Sequence, residues 1–280
     1  TLGARSLDMR KVIIAAAFVA TPVLQTSAEP THSYLTNKNH LYVGTFSQTM
    51  DANILAQRDG FDPVSVGIED VGIGEEYTSG LLEYSHRFNS KWGVNFGAYE
   101  FANSRRSVSR RDFNYDGVDF EAGVGINSEL TIRTYILDAM YSVYDSDSTE
   151  IEIGAGLHML DNEASIQLVA GLDGEVIGAT QQAKSSVLAP LPNLRASAFH
   201  AFNDDWSVHA TMGWLSANID NIDGDFLYFN VRGQYQLSDR WGLSLGYKFV
   251  EVDVLETIDN GVNGFDLSFE GVSAAVSYNF

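Results

Sequence analysis

The fold class predicted from the sequence is all-β: a single antiparallel, up-and-down transmembrane β-barrel of about ten strands, with eight or twelve as neighbouring counts. Three observations predict it. From residue 40 onward polar and apolar residues alternate with period two, the connections between these runs sort into short and long classes, and aromatic residues begin the runs that follow short connections. Alternation alone would also suit a soluble sandwich, because any strand between two different environments reads this way. Length favours the membrane: most runs exceed the mean strand of ~5–6 residues and reach the ~9–11 needed for a tilted bilayer crossing.

The first 39 residues precede the barrel. Met9 is followed by Arg10, Lys11, the apolar run 12–20 (VIIAAAFVA) and the small-residue pattern Thr26-Ser27-Ala28. A charged start, a short apolar stretch and small residues before a cleavage point make a secretory signal peptide over 9–28, with export through the Sec pathway and cleavage after Ala28. Residues 1–8 fit no part of that pattern and read as an upstream over-extension. Residues 29–39 are expected to be a periplasmic N-terminal segment, and 40–280 the barrel. No later window is apolar over the ~18 or more residues of a helical span.

Ten strands are expected over about 40–50, 77–88, 91–101, 128–144, 149–161, 187–202, 206–219, 224–237, 241–256 and 264–280. Residues 61–76 could add a hairpin. Within 227–237, Leu227, Phe229, Val231 and Tyr235 alternate with Tyr228, Asn230, Arg232, Gln234 and Gln236. In 241–249 the apolar positions are Trp241, Leu243, Leu245, Tyr247 and Phe249, and in 151–159 they are Ile151, Ile153, Ala155, Leu157 and Met159. Three short connections share one pattern, an apolar residue, a turn former, two polar residues and a tryptophan: 88–92, 202–206 and 237–241. Trp92, Trp206 and Trp241 therefore read as an aromatic girdle at the short-turn rim. The longer connections, about 51–76, 102–127 and 162–186, fall at the other end. An even strand number puts both termini on the short-turn side, which in such barrels is the periplasm.

The chain ends Ser277-Tyr278-Asn279-Phe280, with apolar residues at every second position before the terminal Phe. This resembles the C-terminal signature of bacterial outer-membrane barrels, and nearly the whole remaining sequence is similar to the small OmpA/OmpW-like kind, without a peptidoglycan-binding domain. The resemblance implies an outer-membrane location, Tyr278 and Phe280 as an assembly signal read by the barrel assembly machinery, and a Gram-negative source.

Composition narrows the function. Among 280 residues, 17 Lys and Arg face 37 Asp and Glu, a formal charge of −20, so a nucleic-acid partner, which needs clustered bases, is excluded. With no Cys there is neither a disulfide nor a thiolate metal site, and no cofactor or metal is expected. If the apolar faces meet lipid, the polar faces line the lumen and carry Glu83, Arg87, Asp138, Glu150, Glu152, His158, Arg195, His209, Arg232 and Lys248. Glu251, Asp253, Asp266 and Glu270 share that expectation, although the apolar phase slips near Phe249–Val250 and near Gly271, where bulges are expected. Opposite charges in a narrow lumen pair and fill it, since ten strands lie close to the eight whose lumen side chains just fill.

Arg105, Arg106, Arg110 and Arg111 form the one basic cluster, expected on a surface loop. It suits lipopolysaccharide phosphates or neutralises Asp112, Asp116, Asp119 and Glu121 nearby. The run IDNIDGD around Asp220, Asp223 and Asp225 lacks the spacing of a calcium loop and reads as a turn. Enzymatic barrels set two further tests. The His-x-Ser arrangement of outer-membrane lipases is absent. An omptin-like protease site would have to be drawn from His158 and Asp161 facing Asp220 or Asp223. The expectation is therefore an outer-membrane barrel with a structural or surface-interaction role, its partners outer-membrane lipid and lipopolysaccharide, monomeric and not an enzyme. A narrow cation-preferring channel is the alternative, and an omptin-type hydrolase the second.

Overall fold

The computed structural model describes residues 32–58, 64–68, 70, 75–109, 112–115, 118–169, 179–219 and 221–280. The signal-peptide and over-extension segments, Arg110, Arg111 and Asp220 lie outside them. A single helical turn, α1 (Ser33–Thr36), precedes β1 (Asn39–Arg58), β2 (Val64–Gly67), β3 (Glu76–Arg87), β4 (Trp92–Val108), β5 (Phe113–Tyr115), β6 (Val118–Phe120) and β7 (Gly125–Asp145). Then follow β8 (Thr149–Val169), β9 (Ala179–Ala201), β10 (Trp206–Ile219), β11 (Ile222–Gln236), β12 (Trp241–Ile258) and β13 (Gly261–Asn279). All but β2, β5 and β6 form the wall: ten antiparallel strands in sequence order, closed into a ring by β13 pairing with β1. Each coincides with an expected strand, and several run much further outward, β7 and β8 to 21 residues and β9 to 23. Among the described residues of region 61–76, β2 pairs with the outer end of β1.

The short-turn rim is built by its sequence pattern. In the first turn Asn89 Oδ1 accepts from the amides of Lys91 (2.8 Å) and Trp92 (3.0 Å); in the next, Asn203 Oδ1 accepts from those of Asp205 (2.9 Å) and Trp206 (2.8 Å). Such side-chain capping of turn amides is what Asn does best. Each girdle tryptophan then packs across to a tyrosine, Trp92 on Tyr141, Trp206 on Tyr235 and Trp241 on Tyr278, with centroids 5.0, 4.8 and 4.6 Å apart. At the same rim Asn39 and Phe280 exchange backbone hydrogen bonds of 3.0 Å, which closes the seam between first and last strands.

The expected bulges near Phe249 and Gly271 do not occur: the ladders between β11, β12, β13 and β1 run unbroken through both positions. The register shifts lie instead between Ser142 and Tyr144 and between Gln167 and Val169. What changes at Phe249 is the surroundings. Rimward of it the outward residues are Trp241, Leu243, Leu245 and Tyr247. Beyond it the buried, inward residues are apolar, Val250 and Val252, and the outward ones are Glu251 and Asp253. On β13 the switch falls at the paired height, between Val272 and Glu270, with Phe269 and Leu267 inward. Lipid therefore ends near this level, and the barrel continues into water with the polarity of a soluble protein. Glu251, Asp253, Asp266 and Glu270 consequently face outward, correcting the lumen assignment; Tyr247 Oη donates to Glu270. On β7 the switch follows Tyr135, and Arg133 bonds outward to Glu100 (3.3 Å), Asp161 (3.5 Å) and Glu163 (3.2 Å).

Above the switch the wall also divides. β3 pairs with β4 only from Leu81↔Tyr99 rimward, and β9 with β10 only from Leu194↔Trp214 rimward. The outer half is thus two sheets, β4-β7-β8-β9 and β10-β11-β12-β13-β1-β3, whose inner faces share one apolar core. Tyr99 of the first sheet packs edge-on against Phe46 (5.2 Å) and Phe269 (5.8 Å) of the second.

Candidate functional site

The lumen is filled in three successive layers. At the mouth on the short-turn side sits α1. His32 Nδ1 accepts from the Tyr34 amide (3.2 Å) as an N-cap, and Ser33 Oγ accepts from Asn279 Nδ2 (3.0 Å), tying the turn to the last strand. This drives Tyr34 into the barrel, fully buried and stacked between His40 and Phe199 at 4.2 Å from each. The segment expected as a periplasmic extension thus enters the lumen from residue 32. Buried His32 has its pKa lowered by desolvation, which the carboxylates of Asp204 and Asp205 oppose.

The middle layer is ionic. Glu83 of β3 is its hub, accepting from Arg232 of β11 at one carboxylate oxygen and from Lys248 of β12 at the other. Arg232 lies over the Tyr42 ring (3.9 Å), and Gln234 Nε2 donates to Tyr42 Oη (2.6 Å). Arg195 Nε donates to Asp138 Oδ1 (2.8 Å) and its guanidinium covers Tyr228 (4.3 Å). Arg87 pairs with Glu150 (2.5 Å), and Glu152 faces the lumen one inward position further along β8. Paired, hydrogen-bonded ions are the tolerable way to bury charge. The outermost layer is the apolar core between the two sheets. His158 belongs to it and not to the ionic layer: fully buried, it packs against Phe226 (5.1 Å) and Tyr228 (5.6 Å).

Two arrangements resemble catalytic ones. Ser197 Oγ is 2.9 Å from His209 Nε2, the distance of a nucleophile and its base. His209 Nδ1, however, lies 2.9 Å from Arg232 Nη2, and a guanidinium only donates, so Nδ1 accepts and Nε2 carries the hydrogen given to Ser197. That orientation leaves no lone pair to take the serine proton. Among the described residues the omptin-style set does not come together: His158 points inward, whereas Asp161 points outward onto Arg133, and Asp223 is exposed at the start of β11.

The basic cluster needs correction. Arg105 and Arg106 are consecutive residues of strand β4, exposed on opposite faces above the lipid level, and not a surface loop. The sequence passes over two features of the lumen, the α1 stopper and Tyr228. Tyr228 is signalled by its place in polar-face register, whereas Tyr34, in a single helical turn, has no such signal.

No family model and no curated protein matches the sequence. Among solved structures the outer-membrane protease OmpT of Escherichia coli matches with a TM-score of 0.61 at 7% identity, over 87% of this chain and 97% of that one. The fold is that of an outer-membrane β-barrel. OprG of Pseudomonas aeruginosa (13% identity, TM-score 0.39, 90% of this chain and 98% of that) and Ail of Yersinia pestis (10%, 0.31, 84% and 99%) also align. The apolar belt, the tryptophan girdle and the closed ladder place the barrel in an outer membrane.

Proposed function

We propose that this outer-membrane barrel acts through its walls and outer surface and not as a conduit. The observation that carries the reading is the succession of three fillings in one lumen: Tyr34 between His40 and Phe199, then the ion pairs centred on Glu83, then the apolar core around Tyr99 and Phe269. A cation path would need free carboxylates along a wetted line. Glu83, Asp138 and Glu150 are each held by a base, and beyond them the lumen is packed by the apolar cluster around Tyr99 and Phe269. Arg105 and Arg106, at the outer rim, are the bases we assign to lipopolysaccharide phosphates.

Proteoliposome swelling tests the reading. Vesicles carrying the refolded barrel should swell in arabinose no faster than empty vesicles; swelling that scales with the amount of protein would overturn it.

A further inference from the structure

Pro190 and Pro192 stand in the middle of β9, a position where proline is unexpected because it cannot donate to a ladder. The ladder from β9 to β8 runs unbroken through them, with Pro190 opposite Met159 and Pro192 opposite Leu157. Its hydrogen bonds there must come from Leu191 and Asn193, so both ring nitrogens face β10. Toward β10 the pairing stops at Leu194↔Trp214, although β10 continues to Ile219, paired with β11 throughout. The wall parts here. The other parting, between β3 and β4, is stitched by Gln48 Nε2 donating to the Glu100 carbonyl (2.7 Å) and Asn103 Nδ2 to that of Glu76 (3.5 Å).

The lips of this parting are apolar and lie at the level where the wall leaves lipid: Leu194 is 65% exposed, Trp214 45%, and Pro190 and Pro192 are exposed beside them. Directly behind lie buried polar atoms that no protein group answers: Nη1 and Nη2 of Arg195, Oδ1 of Asn193 and both ring nitrogens of His158. Arg195 has committed only Nε, to Asp138. Unanswered donors on a buried cation are costly, and a guanidinium fork matches a carboxylate or phosphate.

We propose that the β9–β10 parting is a binding site for an anionic single-chain amphiphile, its carboxylate or phosphate head on Arg195 and its alkyl tail between the lips. Charge complementarity fixes the head, and an entrance bordered by exposed apolar residues at the lipid boundary fixes the tail.

Trp214 is the reporter, since the other tryptophans lie at the far rim. The refolded full chain in an uncharged detergent is titrated with brominated stearate, its methyl ester, brominated stearyl phosphate and inorganic phosphate. Expected is saturable quenching by the acid or the phosphate ester, whichever is tighter naming the head group, with the methyl ester at least about tenfold weaker. Inorganic phosphate should not compete. Pro190→Val/Pro192→Val, which lets the ladder zip, should weaken the acid at least about tenfold. Should that variant not fold, Arg195→Gln/Asp138→Asn should bring acid and ester to the same affinity. Equal quenching by acid and ester in the parent protein, competition by inorganic phosphate, or parental affinity in either folded variant would overturn the proposal.

Discussion

Arg195 Nε and Asp138 Oδ1 stand 2.8 Å apart although their strands, β9 and β7, are separated by β8. The pair meets because β8 offers Gly156 there: a Cβ on it would lie against the Asp138 carboxylate and 2.6 Å from Arg195 Nε, and one on Gly213 of β10 would lie 2.5 Å from Nη1. Two glycines make the slot for the guanidinium. Gly156→Ala should therefore destabilise the barrel by about 1–3 kcal/mol through overpacking. Asp138→Leu, which strands the cation, should cost about 3–5 kcal/mol, and adding Arg195→Met should recover most of that. Urea midpoints of the refolded protein in lipid check the three values; an additive double mutant would show that the pair does not act as one.

Glu83 carries two cations at once, so Glu83→Gln should be worse than the loss of any peripheral pair. Its expected cost is at the upper end of the same range, about 5 kcal/mol. Lys248→Met in the same background should relieve part of it, read again as urea midpoints.

Ser197 should be inert. With His209 donating to it, a fluorophosphonate probe is expected to leave the folded barrel unlabelled at neutral pH, and intact-mass measurement would reveal any adduct.

The stopper should respond to acid. His32 has a lowered pKa when docked and regains an ordinary value near 6.5 when released. The docked state therefore binds fewer protons, and its stability, complete above about pH 6.5, falls as the pH drops below that value. Hydrogen exchange at residues 33–37 should accelerate between pH 7.5 and about 5 relative to the rim turns. His32→Asn, which keeps the capping acceptor, should blunt that acceleration.

Phe280 is expected to matter twice, at the seam with Asn39 and as the residue the assembly machinery reads. Backbone bonds make the seam, so Phe280→Ser should refold in vitro to a heat-modifiable barrel yet accumulate unassembled in the periplasm. Normal membrane levels in cells would remove the signal role.

The ten strands were legible because period-two alternation survives wherever one face meets lipid and the other a polar lumen. Their outer halves were not, and Phe249 shows why: past it the apolar face turns inward, and one unbroken strand reads as two phases. A change of solvent along a strand mimics a bulge. The lumen set from Glu83 to Lys248 followed from register alone, whereas which charges pair depends on strands far apart in sequence, as with Arg232 and Glu83. His158 shows the limit of register, which gives the face and not the layer. The Pro190-Leu191-Pro192 run was readable as a place where β9 could not pair on one side. Tyr34 carried no periodic signal, being in a single turn of helix.

The closed lumen is tested most directly by planar-bilayer conductance of the refolded full chain under a KCl gradient. A silent barrel, folded by heat-modifiability and still silent at voltages of either sign, is the predicted result. Steady cation-selective steps would contradict it, because such a current would have to pass both the Glu83 ion pairs and the apolar core around Tyr99.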